Sequence, residues 1–270
     1  MAYSVRPDYW QEALRGMNII SDKKMEILAD IFDKTEPDEG VVRIVFIREP
    51  TGALIKDVMK YRHCYHYVFT YHQELLASNP LAIKFTQADT WVNKDLKRDK
   101  TFSVSTVVGG KTWPPFPGYK LRHQLWGRRK EINIPSLFYL SSHYRYEKAN
   151  YNNELVLGDS KEPMFNSMFH IAIENVCADN LFTEKIMDCF LSRTIPVYIG
   201  TPNLEEYFNI DGVLMCGNID DVVRVCNGLS PDVYYSKQKA IEENYHIAAN
   251  MPSLKDAMEE TINKILENES

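Results

Sequence analysis

Short runs of apolar residues alternate along the chain with polar stretches of helical spacing, and the runs are continuous rather than strictly alternating. Continuous apolar strands suit sheets covered on both faces, which is the habit of parallel α/β layers. The pattern predicts strands at 41–47 (VVRIVFI), 66–70 (HYVFT), 81–85 (LAIKF), 102–108 (FSVSTVV), 168–173 (MFHIAI), 195–200 (IPVYIG) and 212–217 (GVLMCG). Spacing near 3.6 predicts helices through Met25, Leu28, Ile31 and Phe32, through Ile186, Met187, Phe190 and Leu191, and through Val222, Val225 and Leu229. A final helix carries Ser253 and Asp256 in capping-box-like spacing, with Leu254, Met258, Ile262 and Ile265 on one face.

Between 110 and 165 the pattern gives way to Pro, Tyr, Asn and charge, which predicts loops around one basic helix and a domain boundary near residue 100. Long irregular segments in compact domains are often functional, so the cleft is expected to involve this stretch. Lys and Arg number 31 against 37 Asp and Glu, a net charge of −6, and that balance argues against a general nucleic-acid binder. Five widely spaced cysteines (Cys64, Cys177, Cys189, Cys216, Cys226) read as reduced thiols, and neither a signal peptide nor a membrane span is visible, so a cytoplasmic location is expected.

The chemistry concentrates in residues 168–200, which read as one strand, loop, helix, strand unit. In open parallel sheets ligands sit beyond the carboxyl ends of strands, and here that end holds Glu174 and Asn175. The following helix begins at Thr183, Glu184 and Lys185, where unpaired N–H groups, the helix dipole and a lysine charge would together favour a phosphate. A solvated surface lysine and a turn-forming asparagine are the plainer alternative. The basic patch Lys120, Arg122, His123, Arg128, Arg129 and Lys130 offers a second phosphate cation, a solvated helix face, or a nucleic-acid contact.

The string Ile173-Glu174-Asn175, then Thr183-Glu184-Lys185, then Thr194-Ile195-Pro196-Val197-Tyr198-Ile199-Gly200 resembles the signature of glycosyltransferase family 10, the α-1,3/4-fucosyltransferases. The resemblance implies a GT-B-type α/β fold of two Rossmann-like domains, the N-terminal one short. It implies an acceptor-side domain at 1–100, a GDP-sugar-binding domain at 101–252, and a helix at 253–270 returning to the first domain. It also implies inverting transfer of fucose from GDP-fucose to a glycan hydroxyl. Lys185 and Arg122 would neutralise the donor diphosphate, Glu184 would contact the sugar or ribose, and Glu174, Asn175 and Thr183 would complete the donor site. Glu49, after the 41–47 strand, resembles the base that deprotonates the acceptor hydroxyl.

Three departures from the family pattern stand out. Leu181 occupies a position normally aromatic, so the stacking contact is lost or supplied by the neighbouring Phe182; the N-terminal domain is short; and few family features precede residue 40. No Asp-x-Asp occurs, so a divalent metal is not indicated, and His63, Cys64, His66 and His72 are spaced as a strand and turn rather than a metal site. The aromatics Trp113, Phe116, Tyr119 and Trp126 suit either an acceptor groove or a core. A transferase using another GDP-sugar and a non-catalytic nucleotide-sugar or glycan-binding protein are the two alternative readings.

Overall fold

The computed structural model describes residues 3–49, 52–86, 88–94, 98–111, 116–141 and 155–268. The chain divides into two compact units, Met1–Gln87 with Pro252–Ser270, and Ala88–Met251. The boundary falls before residue 88 rather than near 100. Ala88 and Val92 are buried in the core of the second unit, and the Trp91 amide donates to the Asp188 carboxylate there at 2.8 Å.

The first unit runs β1 (Tyr3–Arg6), α1 (Tyr9–Ala13), β2 (Lys24–Ala29), β3 (Val41–Ile47), α2 (Gly52–Lys60), β4 (Tyr67–Thr70), α3 (Gln73–Ser78) and β5 (Ala82–Lys84). Its five strands are parallel in the order β1-β2-β3-β4-β5. The helix expected through Met25 and Leu28 is strand β2. Met25, Ile27, Leu28 and Ala29 are all buried, so both faces of the strand are covered and the apolar run mimics helical spacing.

The second unit runs β6 (Thr101–Val108), α4 (Pro117–Gly127), β7 (Ser136–Leu140), β8 (Leu155–Val156), β9 (Ser167–Ile173), α5 (Glu184–Leu191), β10 (Ile195–Ile199), β11 (Leu214–Met215), α6 (Ile219–Asn227), α7 (Pro231–Ser236) and α8 (Gln238–Asn250). Its parallel strands lie in the order β11-β10-β9-β6-β7-β8. Successive strands step one way from β6 through β7 to β8, then the chain returns to β9 and steps the other way. That reversal makes a topological switch point between β6 and β9, where a crevice opens beyond the carboxyl ends of the strands. Strands β7 and β8 lie in the segment expected to hold only loops and one helix. In the sequence both adjoin a Tyr-, Ser- and Asn-rich tract that carries no clear strand-bounding turn signal.

Two cores cover the second sheet. Phe165, Ala172, Phe182, Ile186, Phe190 and Tyr198 lie on one side, and Val104, Leu125, Phe169, Ile171, Val197 and Val222 on the other. Helix α9 (Leu254–Asn268) belongs to the first unit and buries Leu254, Met258, Ile262 and Leu266 with Val5, Ile27, Ile44 and Phe69. Its start is capped as its spacing suggests, with the Asp256 amide donating to Ser253 Oγ at 3.2 Å and that hydroxyl donating to Asp256 Oδ2 at 2.6 Å. All five cysteines are free thiols. Among the described residues no helix is long and apolar enough to cross a membrane.

Candidate functional site

A charged cleft in the first unit is an unpromising site. About 560 Å³ in volume, it is lined by Arg6, Glu26, Asp33 and Arg43 among others, and those charges already neutralise one another. Arg6 pairs with Asp33 at 2.9 Å and Arg43 with Glu26 at 2.5 Å. The second unit holds a cleft of about 420 Å³ at the switch point. It is lined by residues of β6, α4, β9 and α5, together with Trp91 and Lys161.

Two of the cations that line this cleft, Arg122 and Lys185, reach it by different routes. Helix α4 is pressed against the turn after β9 at Gly118, whose amide donates to Asn175 O at 2.9 Å. A Cβ there would come within 1.8 Å of Glu174 O, so no side chain fits. One helical turn on, Arg122 donates through Nη2 to Asn175 Oδ1 at 2.7 Å and through Nη1 to the Ile173 carbonyl, and its guanidinium stacks 4.9 Å from the Tyr119 ring. Burial pushes the guanidinium below its usual pKa, against the opposing charges of Glu174 and Glu184.

Lys185 sits in the first turn of α5, which Thr183 caps by accepting from the Lys185 amide at 3.3 Å. The ammonium donates to Glu184 Oε1 at 2.9 Å and to Thr183 Oγ1 at 3.1 Å, and lies 3.6 Å from Glu174 Oε2. Burial works to lower its pKa, but the Glu174 and Glu184 charges outweigh it and the net direction is up. Glu184 is held below the usual carboxylate range: burial opposes ionisation, and the Lys185 and Lys161 charges overcome it.

Arg122, Asn175, Glu184 and Lys185 therefore line one cleft, while Glu174 and Thr183 stand behind it. Glu174 is only 1% exposed. Its carboxylate accepts from the Thr183 amide at 3.0 Å, the Thr183 hydroxyl at 2.7 Å and the Tyr198 hydroxyl at 3.3 Å. It positions the start of α5 rather than facing a ligand. Glu49 belongs to the first unit, exposed just past the carboxyl end of β3. Its amide and that of Arg48 both donate to Asp30 Oδ1 at 2.7 Å, and Asp30 follows β2 in the left-handed region (φ 55) that Asp tolerates.

Other expectations resolve differently. Phe182 does not stand in for the aromatic missing at Leu181: it is buried against Tyr207 and Phe208, with ring centroids 5.1 Å away in each case. Of the aromatic group, Tyr119 lines the cleft, Phe116 packs on Tyr119, Trp126 packs on Phe138, and Trp113 lies outside the described residues. Arg128 is engaged by Glu131 and Asp220, and Arg129 lies over Trp126. His66 Nδ1 accepts the Arg43 amide at 2.9 Å and Cys64 is buried, donating to Lys34 O. Among the described residues no three His, Cys, Asp or Glu side chains converge as metal ligands would.

Trp91, Lys161 and His170 escaped the sequence reading. The Trp91 indole is 62% exposed on the cleft, and Lys161 Nζ lies 3.9 Å from its centroid. Asp188 anchors the Trp91 amide from inside, and burial pushes its carboxyl up to about 7 in spite of the hydrogen bonds it accepts. With its folded pKa raised, this group favours the folded state at low pH, and that contribution drains away as pH rises from about 4 to 7. Asp188→Asn cannot ionise, so melting curves should show the variant gaining on the parent across that window and holding a constant lead above it. Parallel curves from pH 4 to 8 would contradict this.

These two units of parallel sheet, one wound about a switch point, have the GT-B fold of glycosyltransferases. No family model matches the chain, and no curated protein matches it in sequence. Among solved structures, Anabaena HepE in complex with UDP-glucose superposes with a TM-score of 0.59 at 12% identity, over 84% of this chain and 72% of that one. An α1,3-fucosyltransferase with GDP-fucose gives 0.53 at 15% identity, over 92% and 80%. The pneumococcal O-GlcNAc transferase GtfA with UDP and GlcNAc gives 0.54 at 10% identity, over 90% of this chain and 57% of that one. At such identities the likeness establishes the fold.

Proposed function

We propose that the chain is a glycosyltransferase that draws its sugar from a nucleoside diphosphate, with GDP-fucose as donor and a glycan hydroxyl as acceptor. The observation that carries this is the placement of Arg122 and Lys185 in one cleft at the switch point, Arg122 braced by Asn175 and Lys185 by Glu184. As the glycosidic bond breaks, its electron pair goes to the diphosphate oxygen, and two fixed cations stabilise that charge without reorganising. Arg122 suits bidentate phosphate contact, and Lys185 adds a charge where the helix dipole also favours an anion.

Glu184 holds Lys185 in place and contacts the donor sugar or ribose. Glu49 takes the proton from the acceptor hydroxyl as that oxygen attacks the anomeric carbon from the face opposite the leaving group, which inverts the centre. The donor identity rests on the resemblance of the 173–200 segment to the fucosyltransferases. The fold itself accommodates either base, since its neighbours include complexes with GDP-fucose and with UDP-glucose. A transferase using another GDP-sugar is the alternative.

A thermal-shift panel of GDP-fucose, GDP-mannose, UDP-glucose and their free diphosphates tests the reading. A ligand at about 100 times its Kd adds roughly 2.7 kcal/mol and raises the melting temperature by several degrees at this size. Stabilisation by GDP compounds, greatest with GDP-fucose, is expected. Equal indifference to every nucleotide would overturn the proposal.

A further inference from the structure

His170 on β9 is 4% exposed, yet it lines the cleft. Its Nδ1 lies 2.8 Å from Ser105 Oγ, and no described residue hydrogen-bonds its Nε2. The network assigns the tautomer. Ser105 Oγ also lies 2.7 Å from Met164 O, with a longer 3.5 Å approach to Phe169 O. If the single hydroxyl hydrogen went to His170, two oxygen acceptors would face each other at 2.7 Å with nothing between them. If it goes to Met164 O, the Ser105 oxygen is free to accept from His170 Nδ1–H and both contacts are satisfied. Nε2 is then a bare acceptor. Burial drives the imidazole pKa down to about 3, so the ring stays neutral and keeps that lone pair throughout the working range.

Its surroundings combine apolar side chains with charge, since Lys161 lines the same cleft and the Lys161 and Lys100 charges both act on the ring. Val107, Leu157 and Ala172 line the same cleft, and the exposed Trp91 indole lies at its rim, fixed through its amide by Asp188. Flat apolar surfaces with one directional acceptor suit a nucleobase better than a sugar, whose several hydroxyls would need several partners. A buried acceptor left unmatched is costly, so such a site discriminates strongly against ligands that bring no donor.

We infer that His170 Nε2 accepts the ring N–H of the donor's nucleobase, making it a specificity residue for bases with a lactam N–H edge, as in guanine and uracil. This rests on the proposed nucleoside diphosphate site. Ser105 sets the tautomer, and Val107, Leu157 and Ala172 supply apolar contact for the base.

The test is calorimetric titration of the full chain, and of His170→Phe and His170→Gln, with GDP, N1-methyl-GDP, UDP, N3-methyl-UDP and GDP-fucose, after melting curves confirm folding. The parent should bind the better of GDP and UDP about tenfold more tightly than its N-methyl analogue. In His170→Phe that ratio should fall to within twofold, and His170→Gln, whose amide oxygen still accepts, should recover part of it. Equal binding of methylated and unmethylated diphosphates by the parent, or an unchanged ratio in His170→Phe, would overturn the inference while leaving the diphosphate site standing. So would a His170→Phe defect confined to GDP-fucose, since the partner would then be a sugar hydroxyl. Failure of the parent to bind any of these nucleotides would overturn the inference and the proposed function together.

Discussion

Lys185→Ala is expected to lower the rate of sugar transfer by about 10²–10³ and to weaken GDP binding, because it removes a fixed cation from the place where leaving-group charge develops. The lysine is held on two sides, by Glu184 at 2.9 Å and Glu174 at 3.6 Å, which fixes its charge at the start of α5. Loss of the cation also leaves two carboxylates facing one another without their partner, so some thermal stability should go with it. Glu174 keeps its bonds from Thr183 and Tyr198, which limits that loss to local loosening of the helix start. Initial rates of GDP release, read beside melting curves, separate the two effects. A folded Lys185→Ala protein within twofold of the parent rate would remove the lysine from the chemistry.

The second large effect is expected at Glu49. Glu49→Gln should reduce turnover by about 10²–10⁴, the usual contribution of a positioned general base, with GDP affinity unchanged. The amide keeps the shape and loses the ability to take a proton. Its support is Asp30, whose one oxygen receives the amides of both Arg48 and Glu49, so the loop stays ordered when the side chain changes. Burial raises the Asp30 pKa, and the two donated hydrogen bonds oppose that direction. The split between turnover and nucleotide affinity is the diagnostic. A variant that loses GDP affinity in proportion to rate would place Glu49 at the donor rather than the acceptor, and one with full activity would leave the base unassigned.

Most of the parallel architecture was legible because buried parallel strands announce themselves as apolar runs, as in VVRIVFI and IPVYIG. The same continuity misled at KMEILA, where a strand covered on both sides places apolar residues at helical intervals by coincidence. Strand β7 was hidden by its surroundings, since SLFYL follows Pro135 and precedes a polar tract. The common location of Asn175, Glu184 and Lys185 was legible because strand ends and helix starts are where such sheets gather ligands, whereas Arg122, in the middle of α4, was reached through the basic patch and the family resemblance. Glu174 was legible as part of the site and not as its internal brace, because a buried carboxylate is known only by its partners. Trp91, Lys161 and His170 were illegible: nothing local marks them, and only the fold brings residues so far apart in sequence to one crevice.

The most direct test of the account is a calorimetric comparison of GDP, GMP and guanosine binding to the parent chain and to Arg122→Ala. If the crevice is built for a diphosphate between Arg122 and Lys185, GDP should bind about 100-fold more tightly than GMP, guanosine more weakly still, and Arg122→Ala should erase most of the gap between GDP and GMP. Equal affinity for GDP and GMP in the parent, or a gap that Arg122→Ala leaves intact, would contradict it.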